Sequence, residues 1–375
     1  MAYFDNSATT KPCEKSINAI NFALSECWGN PSSLHSLGTE ANNELTKARK
    51  QISTLIGCQH ENFFFTSSGT TANNTAIFGA YEKQKRLGNR IVTTAIEHPS
   101  VSEPLKRLEQ SGVEVVRLAP DKDGKINEDE FFSAINDKTI LVSCMAVNNE
   151  IGTVLPVAKI RSAIKRAKAP AIIHSDCVQA LGKISISPNT LGADIITVSA
   201  HKIHGPKGVG GIYLKQKNII KPYVLGGEQE GNIFAGTQGM PVILGFGAAA
   251  EEAAEIQKNS EKVKELNTYL VENIKELKSV EINSPVDAIP YILNISIKGL
   301  PSQPIVNFMS ERNIQISAGS ACKMGHRSPV LTAMGLSPER IDSAVRISFS
   351  RYNTKEETTL LIEAIKEIDK KYGKG

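Results

Sequence analysis

Short apolar runs alternate with segments of helical periodicity through the first two thirds of the chain. The apolar runs are rich in Val, Ile and Phe, which is typical of strands buried on both faces. They span 62–66, 90–95, 113–119, 139–145, 171–175, 193–199 and 208–214. Helical patterns lie between them at 40–57, 71–87, 100–111, 127–136 and 157–168. This alternation predicts an α/β domain with a mostly parallel sheet flanked by helices.

The last third of the chain has a different pattern. A helical stretch over roughly 241–277 carries many charges on one side and is a candidate for joining two domains. Strand-like runs at 290–297, 314–317 and 343–350 then surround a helix near 303–312. Thr354, with Glu357 three residues later, predicts a capping box at the start of the last helix. These features predict a smaller α+β domain.

Composition limits the classes of function. The 375 residues suggest about two domains. The excess of 43 basic over 39 acidic residues is too small to indicate a nucleic-acid or membrane partner. We expect no membrane span and no signal peptide, hence a cytoplasmic location. The six cysteines form no CxxC pair, which argues against a zinc ribbon or a disulfide scaffold.

Lys202 follows directly after a buried strand that ends at Ser199. Burial lowers the pKa of a lysine and makes the neutral amine available as a nucleophile toward carbonyl groups. The alternative is an ordinary loop lysine, and Lys207 is then the nearest competitor. His201 and His204 are three residues apart but have no third ligand nearby, so we expect no metal site.

Asp176 comes after another buried strand, at the edge of an open α/β sheet where ligands bind. Asp176 and Lys202 both fall at predicted strand ends, so they are expected to converge on one crevice. Pyridoxal phosphate needs such a pair, a lysine that forms a Schiff base and an acid that faces the pyridinium nitrogen.

A strand also runs into Ser67-Ser68-Gly69-Thr70 and then into a helix. Small residues let backbone N–H groups approach an anion, and a helix N-terminus favours negative charge. A plain strand–helix turn is an equally open interpretation. The chain lacks GxxxxGK[ST], so this segment is not a nucleotide P-loop.

Cys322 follows a run of small residues and precedes three cationic side chains, those of Lys323, His326 and Arg327. Nearby cations lower the pKa of a thiol and raise its thiolate fraction. The alternative, a buried and inert thiol, fits Cys144 and Cys177 well and Cys322 poorly.

Ten segments in order along the chain resemble the cysteine desulfurases of the NifS/IscS type, which are pyridoxal-phosphate enzymes of fold type I in the class V aminotransferase group. They are YFDNSATT (3–10), GNPSSLHSLG (29–38), FTSSGTTANN (65–74), EHPS (97–100), NNEIG (148–152), HSDCVQ (174–179), SAHKIHGPKGVG (199–210), GT (236–237), SAGSAC (317–322) and VRISFSRYNT (345–354). The resemblance implies a seven-stranded, mostly parallel sheet in a large cofactor-binding domain over 14–260. It also implies a small domain made of 1–13 and 261–375.

The resemblance places cofactor contacts on matching positions. Lys202 would bind pyridoxal phosphate as a Schiff base and shuttle protons, and Asp176 would pair with the pyridinium nitrogen. His98 would stack on the ring and, as a catalytic residue, assist proton transfer. The ring hydroxyl would be reached by Asn149 and Gln179. The phosphate would be held by Gly69, Thr70, Ser199 and His201, with Thr237 reaching in from a neighbouring subunit.

The resemblance also implies the reaction. Arg346, with Asn149, would bind the carboxylate of L-cysteine, and Cys322 would take the substrate sulfur, leaving alanine and an enzyme persulfide. The partners implied are a second subunit and a sulfur-acceptor protein, either a scaffold or a sulfurtransferase, in iron–sulfur cluster assembly or thio-cofactor or tRNA thiolation. Two alternatives stay open: a selenocysteine lyase or other C–S lyase of the same group, and a sulfur-relay or scaffold protein without catalysis.

Five positions depart from the family pattern. The family segment close to GGGQERGxRSGT is GGEQEGNIFAGT here, with Glu228 for glycine and with Gly231 and Phe234 in place of two arginines. The phosphate turn has Ser68 where glycine is usual and Thr71 where glutamate is usual. The first three departures bear on contacts across subunits and on the choice of substrate or acceptor.

Overall fold

A computed structural model describes residues 1–318 and 327–372 of the chain, apart from the side chain of Gln257. Its strands are β1 (Ala2–Tyr3), β2 (Phe63–Thr66), β3 (Arg90–Thr94), β4 (Glu114–Leu118), β5 (Thr139–Ser143), β6 (Ile172–Asp176), β7 (Ile195–Ser199), β8 (Gly210–Leu214), β9 (Val280–Ile282), β10 (Ile292–Ile297), β11 (Ile314–Gln315), β12 (Ser317–Ala318) and β13 (Ala344–Ser348). Strands β2 to β8 confirm the seven predicted strand segments.

The helices are α1 (Glu14–Ser25), α2 (Ser36–Ile56), α3 (Gly69–Gln84), α4 (Pro99–Gln110), α5 (Glu128–Ser133), α6 (Val157–Ala167), α7 (Pro188–Leu191), α8 (Met240–Glu252), α9 (Ile256–Ile274), α10 (Ser302–Glu311), α11 (Pro329–Ala333), α12 (Pro338–Asp342) and α13 (Lys355–Tyr372). None of the helices within the described ranges is both long and apolar enough to cross a membrane.

The main sheet has seven strands in the order β2-β8-β7-β6-β5-β3-β4. All neighbours from β7 to β4 run parallel, and β8 is antiparallel to both β2 and β7. Successive residues alternate between two apolar cores: Phe64 and Ile195 belong to one, and Phe65 and Ile196 to the other. Burial on both faces explains why these strands read as continuous apolar runs. The carboxyl ends of β5, β6 and β7 therefore form one edge of a rigid platform.

The single helix predicted over 241–277 is wrong, because two helices occupy this stretch. Helix α8 ends at Glu252, and α9 begins at Ile256. Helix α8 is buried almost all round against α1 and α2, whereas α9 is amphipathic and packs on α13. One straight helix cannot pack against α1 and α2 with one half and on α13 with the other, so the chain breaks between α8 and α9.

Smaller sheets are built from the rest of the chain. Strands β12, β13, β10 and β9 form an antiparallel sheet, and β1 pairs in parallel with β11. The pairing of Ala2 with Ile314 supports assigning 1–13 to the small domain, a division that stays a prediction. The capping box before α13 is confirmed, since Thr354 and Glu357 each bond the other's backbone N–H.

Candidate active site

Asp176 and Lys202 lie beyond neighbouring parallel strands at the same edge of the main sheet. Asp176 is the last residue of β6 and pairs in register with Thr197 of β7. Strand β7 ends at Ser199, and one turn of 3-10 helix then carries the chain to Lys202. The sheet topology thus brings together the two residues that the sequence singled out.

Two N–H donors hold the carboxylate of Asp176, which is 4% exposed. The backbone N–H of Val178 donates to Oδ1 at 2.9 Å, and Nδ2 of Asn73 donates to Oδ2 at 2.7 Å. These bonds fix the plane of the carboxylate at the strand end. Asn73 is a site residue that the sequence analysis missed.

The N-terminal segment holds Lys202 in place. Its Nζ donates to the carbonyl oxygens of Ser7 and Ala8 at 2.5 and 2.8 Å. The hydroxyl of Thr10 donates to the carbonyl of His201 and accepts from the backbone N–H of His204. The FDNSATT segment therefore positions the turn that bears the lysine, a role that its sequence did not reveal.

His98 is a neutral imidazole beside these two charges. It is the N-cap of α4, and its Nδ1 accepts from the backbone N–H of Ser100 at 3.1 Å. Burial lowers the pKa of His98, and Lys202 lowers it further, while Asp176 acts in the opposite direction. His98, Asp176 and Lys202 therefore lie within electrostatic range of one another.

The turn before α3 forms a tight cradle. A Cβ on Gly69 would lie 3.1 Å from Val178 Cγ2 and 3.2 Å from Ser199 Cβ, so only glycine fits without movement. Thr70 is exposed and lines a hollow of about 680 Å³ together with His98 and Ser100. Backbone N–H groups at this helix N-terminus are suited to an anion.

The two departures in this turn form a reciprocal cap. The hydroxyl of Ser68 accepts from the backbone N–H of Thr71 at 3.1 Å, and the hydroxyl of Thr71 accepts from the backbone N–H of Ser68 at 2.9 Å. Ser68 and Thr71 thus replace the family residues as a pair, and they stabilise the start of α3.

Gln179 contacts a buried lysine, Lys183, that the sequence analysis missed. Nζ of Lys183 donates to Oε1 of Gln179 at 2.9 Å, and Nε2 of Gln179 donates to the carbonyl of Ser7 at 2.9 Å. Burial, with help from the charges of Lys202 and Arg346, lowers the pKa of Lys183 to about 7. The spacing of four residues between Gln179 and Lys183 was the available signal.

Arg346 lies in β13 and reaches the same region from the smaller sheet. It is 4% exposed, and it donates to the carbonyl of Asn149 at 3.0 Å and to Oδ1 of Asp5 at 3.0 Å. Its Nε has no hydrogen-bond partner among the described residues. The N–H of Nε is therefore left for a further acceptor.

His201 and Thr237 are placed differently from each other. Burial, and next to it the charge of Lys202, lowers the pKa of His201 to about 4. Its Nδ1 lies 3.3 Å from the hydroxyl of Thr9. Thr237 is exposed to solvent in this single chain.

The segment 226–237, which departs from the family pattern, is held to the rest of the chain by a buried glutamate. Glu230 is buried and forms a bidentate ion pair with Arg49, at 2.6 and 3.0 Å. A Cβ on Gly231 would lie 3.2 Å from Nζ of Lys217. A cation thus stands beside the position where the family has its first arginine. Phe234 is half-buried, and nothing in the structure explains the loss of the second arginine there.

Cys322 lies outside the described residues, whereas its flanks are held. Ser317 pairs with Arg346 across β12 and β13, and the hydroxyl of Ser328 donates to Oε2 of Glu150. The other five cysteines are free thiols, and burial raises the pKa of each, to about 11 for Cys58. Among those five, none is set up as a reactive thiolate.

Comparisons with known proteins place this chain in a family. The family described as aminotransferase class V matches residues 2–361. The NifS/IcsS protein homolog of Lactobacillus delbrueckii subsp. bulgaricus is 38% identical over all of this chain and 98% of its own length. The cysteine desulfurase IscS of Dictyoglomus turgidum is 34% identical over 98% of this chain and 94% of its own.

Structural comparison agrees with the sequences. A solved structure of a NifS-like protein superimposes with a TM-score of 0.92 at 34% identity, covering 98% of each chain. The seven-stranded sheet with its flanking helices is that of the NifS-like proteins. The chain therefore belongs to the class V aminotransferase family, within its group of NifS/IscS-type cysteine desulfurases.

Proposed function

We propose that this protein is a pyridoxal-phosphate-dependent cysteine desulfurase that converts L-cysteine to L-alanine and keeps the sulfur as a persulfide on Cys322. The observation that carries the proposal is the placement of Asp176 and Lys202 beyond adjacent strands, with His98 in range of both charges. A binding module has no need for a half-buried lysine and a buried acid held in this relation.

The residues present fit pyridoxal phosphate. Asp176 offers a fixed carboxylate for the pyridinium nitrogen, and Lys202 offers the amine that binds the aldehyde carbon. When bound, the cofactor supplies an electron-withdrawing ring that stabilises negative charge at the α-carbon of an amino acid. His98 has the flat, neutral ring suited to lie against it.

The phosphate and the ring hydroxyl have their own partners in this proposal. Gly69 and Thr70 begin α3 and Ser199 lies against Gly69, at a helix N-terminus where backbone N–H groups and the helix dipole favour an anion. We assign His201 to the same phosphate. Gln179 has one N–H left after its bond to Ser7, and that N–H is suited to the ring hydroxyl. We assign Asn149 to the same hydroxyl.

The substrate carboxylate is assigned to Arg346. A planar guanidinium binds a carboxylate through two parallel N–H bonds, and the unpartnered Nε provides one of them. Asp5 and the carbonyl of Asn149 hold the rest of the guanidinium, so little side-chain freedom is lost on binding. Lys202 and His98 are the groups that exchange protons with the substrate.

The sulfur step uses the thiolate of Cys322. The bond between the substrate β-carbon and its sulfur breaks, and a bond between Cys322 Sγ and that sulfur forms. One cysteine and one enzyme thiol thus become one alanine and one enzyme persulfide, with no further oxidant or reductant. The persulfide is then passed to an acceptor protein, a scaffold or a sulfurtransferase.

We further propose a cytoplasmic homodimer in which Thr237 completes the phosphate site of the partner subunit. Thr237 is exposed in the single chain. Leu225, directly before the segment that departs from the family pattern, is 83% exposed, and covering it with a partner subunit would remove apolar surface from water.

The proposal is tested with Lys202→Ala and a matched control, Lys207→Ala, which changes an exposed lysine five residues away. Wild type and the control are expected to show the absorbance of a lysine–pyridoxal imine and to release alanine from L-cysteine. Lys202→Ala is expected to do neither. Pyruvate in place of alanine, or turnover of selenocysteine alone, would identify another lyase of the same group and contradict the proposal.

A further inference from the structure

Asn73 lies in α3, completely buried, and contacts side chains from three other elements. They are Asp176 at the end of β6, Ser100 in α4 and Thr197 in β7. We infer that Asn73 is a positioning residue, which couples the carboxylate of Asp176 to His98 and fixes the tautomer of that imidazole. The inference deepens the proposed function, and it rests on that function only for the use made of His98.

The carboxylate determines which way the amide of Asn73 faces. Nδ2 of Asn73 donates to Oδ2 of Asp176 at 2.7 Å and to Oγ of Ser100 at 2.8 Å. An ionised carboxylate only accepts hydrogen bonds, so the nitrogen end of the amide must face Asp176. Both N–H groups of the amide are then used, and its oxygen is left for an incoming donor.

The core on the other side of Asn73 accommodates the same orientation. The hydroxyl of Thr197 donates to Oδ1 of Asn73, so its lone pair accepts from Nε2 of His174 at 3.2 Å. Nδ1 of His174 then accepts from the hydroxyl of Ser143 at 2.9 Å. Burial lowers the pKa of His174 to about 4, so its ring carries one N–H near neutral pH, as this chain of bonds needs.

The donor-to-acceptor order of the hydrogen bonds continues from Asn73 through Ser100 to His98. The hydroxyl of Ser100 accepts from Asn73, and its own hydrogen is directed at Nδ1 of His98, 2.7 Å away. The backbone N–H of Ser100 donates to the same Nδ1 at 3.1 Å. An atom that accepts from two donors carries no hydrogen, so the single N–H of the neutral ring is on Nε2.

The consequence concerns proton transfer at the site. A histidine whose second nitrogen is fixed by its neighbours presents one defined tautomer to a ligand. In the neutral ring of His98, Nε2 therefore carries the hydrogen and meets a ligand as a hydrogen-bond donor. Asn73 makes this property depend on the same carboxylate that is proposed to pair with the cofactor.

The test reads the tautomer of His98 directly. Two-bond ¹H–¹⁵N correlation NMR is recorded on cofactor-loaded protein with ¹⁵N-labelled histidine rings, and His98→Gln assigns the signal. Wild type is expected to show the Nε2–H form. Asn73→Asp replaces the NH2 group, which carries both N–H donors, with one carboxylate oxygen that accepts from Ser100. We expect the Nδ1–H population to rise about fivefold or more, the change that corresponds to one lost hydrogen bond.

Two further variants keep the result interpretable. Ser100→Ala removes only the hydroxyl link and keeps the bond to Asp176, so it decides the question if Asn73→Asp does not fold. Thr75→Val is the matched control, because Thr75 is buried in the same helix and its hydroxyl has no partner among the described residues. It is expected to leave the spectrum of His98 unchanged.

Some outcomes would overturn the inference. They are a wild-type His98 in the Nδ1–H form, or folded Asn73→Asp and Ser100→Ala proteins whose His98 signals match wild type. The readout needs no turnover. A protein that releases no alanine but shows the expected tautomer shift would contradict the proposed function and leave the role of Asn73 standing.

Discussion

Lys183 donates a 2.9 Å hydrogen bond to Gln179, although both side chains are more than nine-tenths buried. The bond takes the amide oxygen of Gln179 and so leaves the amide nitrogen for Ser7 and for a ligand. A lysine that is absent from the expected cofactor-binding set thus orients a residue that is in it.

The first prediction concerns this pair. Lys183→Met keeps most of the stem volume and removes the donor, so the amide of Gln179 is free to rotate. We expect the affinity for pyridoxal phosphate to fall about fivefold to tenfold, the usual effect of one hydrogen bond. Dissociation constants from cofactor titration, with the exposed Lys215→Met as the control, provide the measurement.

Lys183→Met should also change how the stability of the fold depends on pH. The pKa of Lys183 is about 7 in the folded chain and near 10.5 when unfolded, so between these values the unfolded state binds more protons. Wild-type stability gains from this group as pH rises through that window. Lys183→Met should lose that part of the slope, as measured by urea unfolding at pH 7 and pH 9.5. An unchanged slope would show that Lys183 is not buried as described.

Glu150 is expected to have the opposite pH dependence. Burial raises its pKa to about 7, against an unfolded value near 4.5, so the folded state holds the proton longer. Its contribution to stability is complete below about pH 4.5 and is lost as pH rises through 7. Glu150→Gln removes the titrating group. We expect the stability of the variant relative to wild type to be about 1–2 kcal/mol greater at pH 8 than at pH 5. Urea unfolding at both pH values measures this, and equal changes at pH 5 and pH 8 would contradict it.

Arg346→Lys tests the carboxylate site. Lysine keeps the charge but loses the planar fork, and it cannot serve Asp5, Asn149 and a substrate at once. We expect KM for L-cysteine to rise about tenfold to a hundredfold, with a smaller change in kcat. Alanine formation at varied cysteine concentration measures both constants. Arg340→Lys, in α12, is the control, and a similar rise in its KM would argue against a specific role for Arg346.

The capping box at α3 predicts that the effects of Ser68 and Thr71 on the free energy of unfolding depend on each other. Ser68→Ala should cost about 1 kcal/mol of stability, and Thr71→Val about the same. Because each residue bonds the backbone of the other, the double variant should cost less than the two single changes combined. Chemical unfolding of the four proteins gives the coupling. Strict additivity would mean that the two bonds do not act together.

The strands of the main sheet and the strand-end residues could be predicted from sequence, for a physical reason. Burial on both faces makes each strand a continuous apolar run, so a polar residue such as Asp176 or Lys202 at its end stands out. The break between α8 and α9 could not be seen, because both halves keep helical periodicity and no Pro or Gly marks 253–255.

The supporting residues were hidden for another reason. Asn73 and Asp5 are polar side chains whose partners lie far away in sequence, whereas Lys183 is buried with a partner only four residues away. A polar residue is usually solvated, and little in the local sequence distinguishes a buried one. Their roles follow only from the three-dimensional contacts, whereas the resemblance to a family pointed to residues that touch the ligands.

The central claim is tested most directly by mass analysis of the peptide that contains Cys322 after incubation of the cofactor-loaded protein with L-cysteine. We predict one added sulfur on Cys322, formed together with one alanine per site, and no such mass in Cys322→Ser. Cys58→Ser, which removes a half-buried thiol whose pKa is raised to about 11, should behave as wild type. Full alanine release by Cys322→Ser, or the added sulfur on another cysteine, would contradict the account.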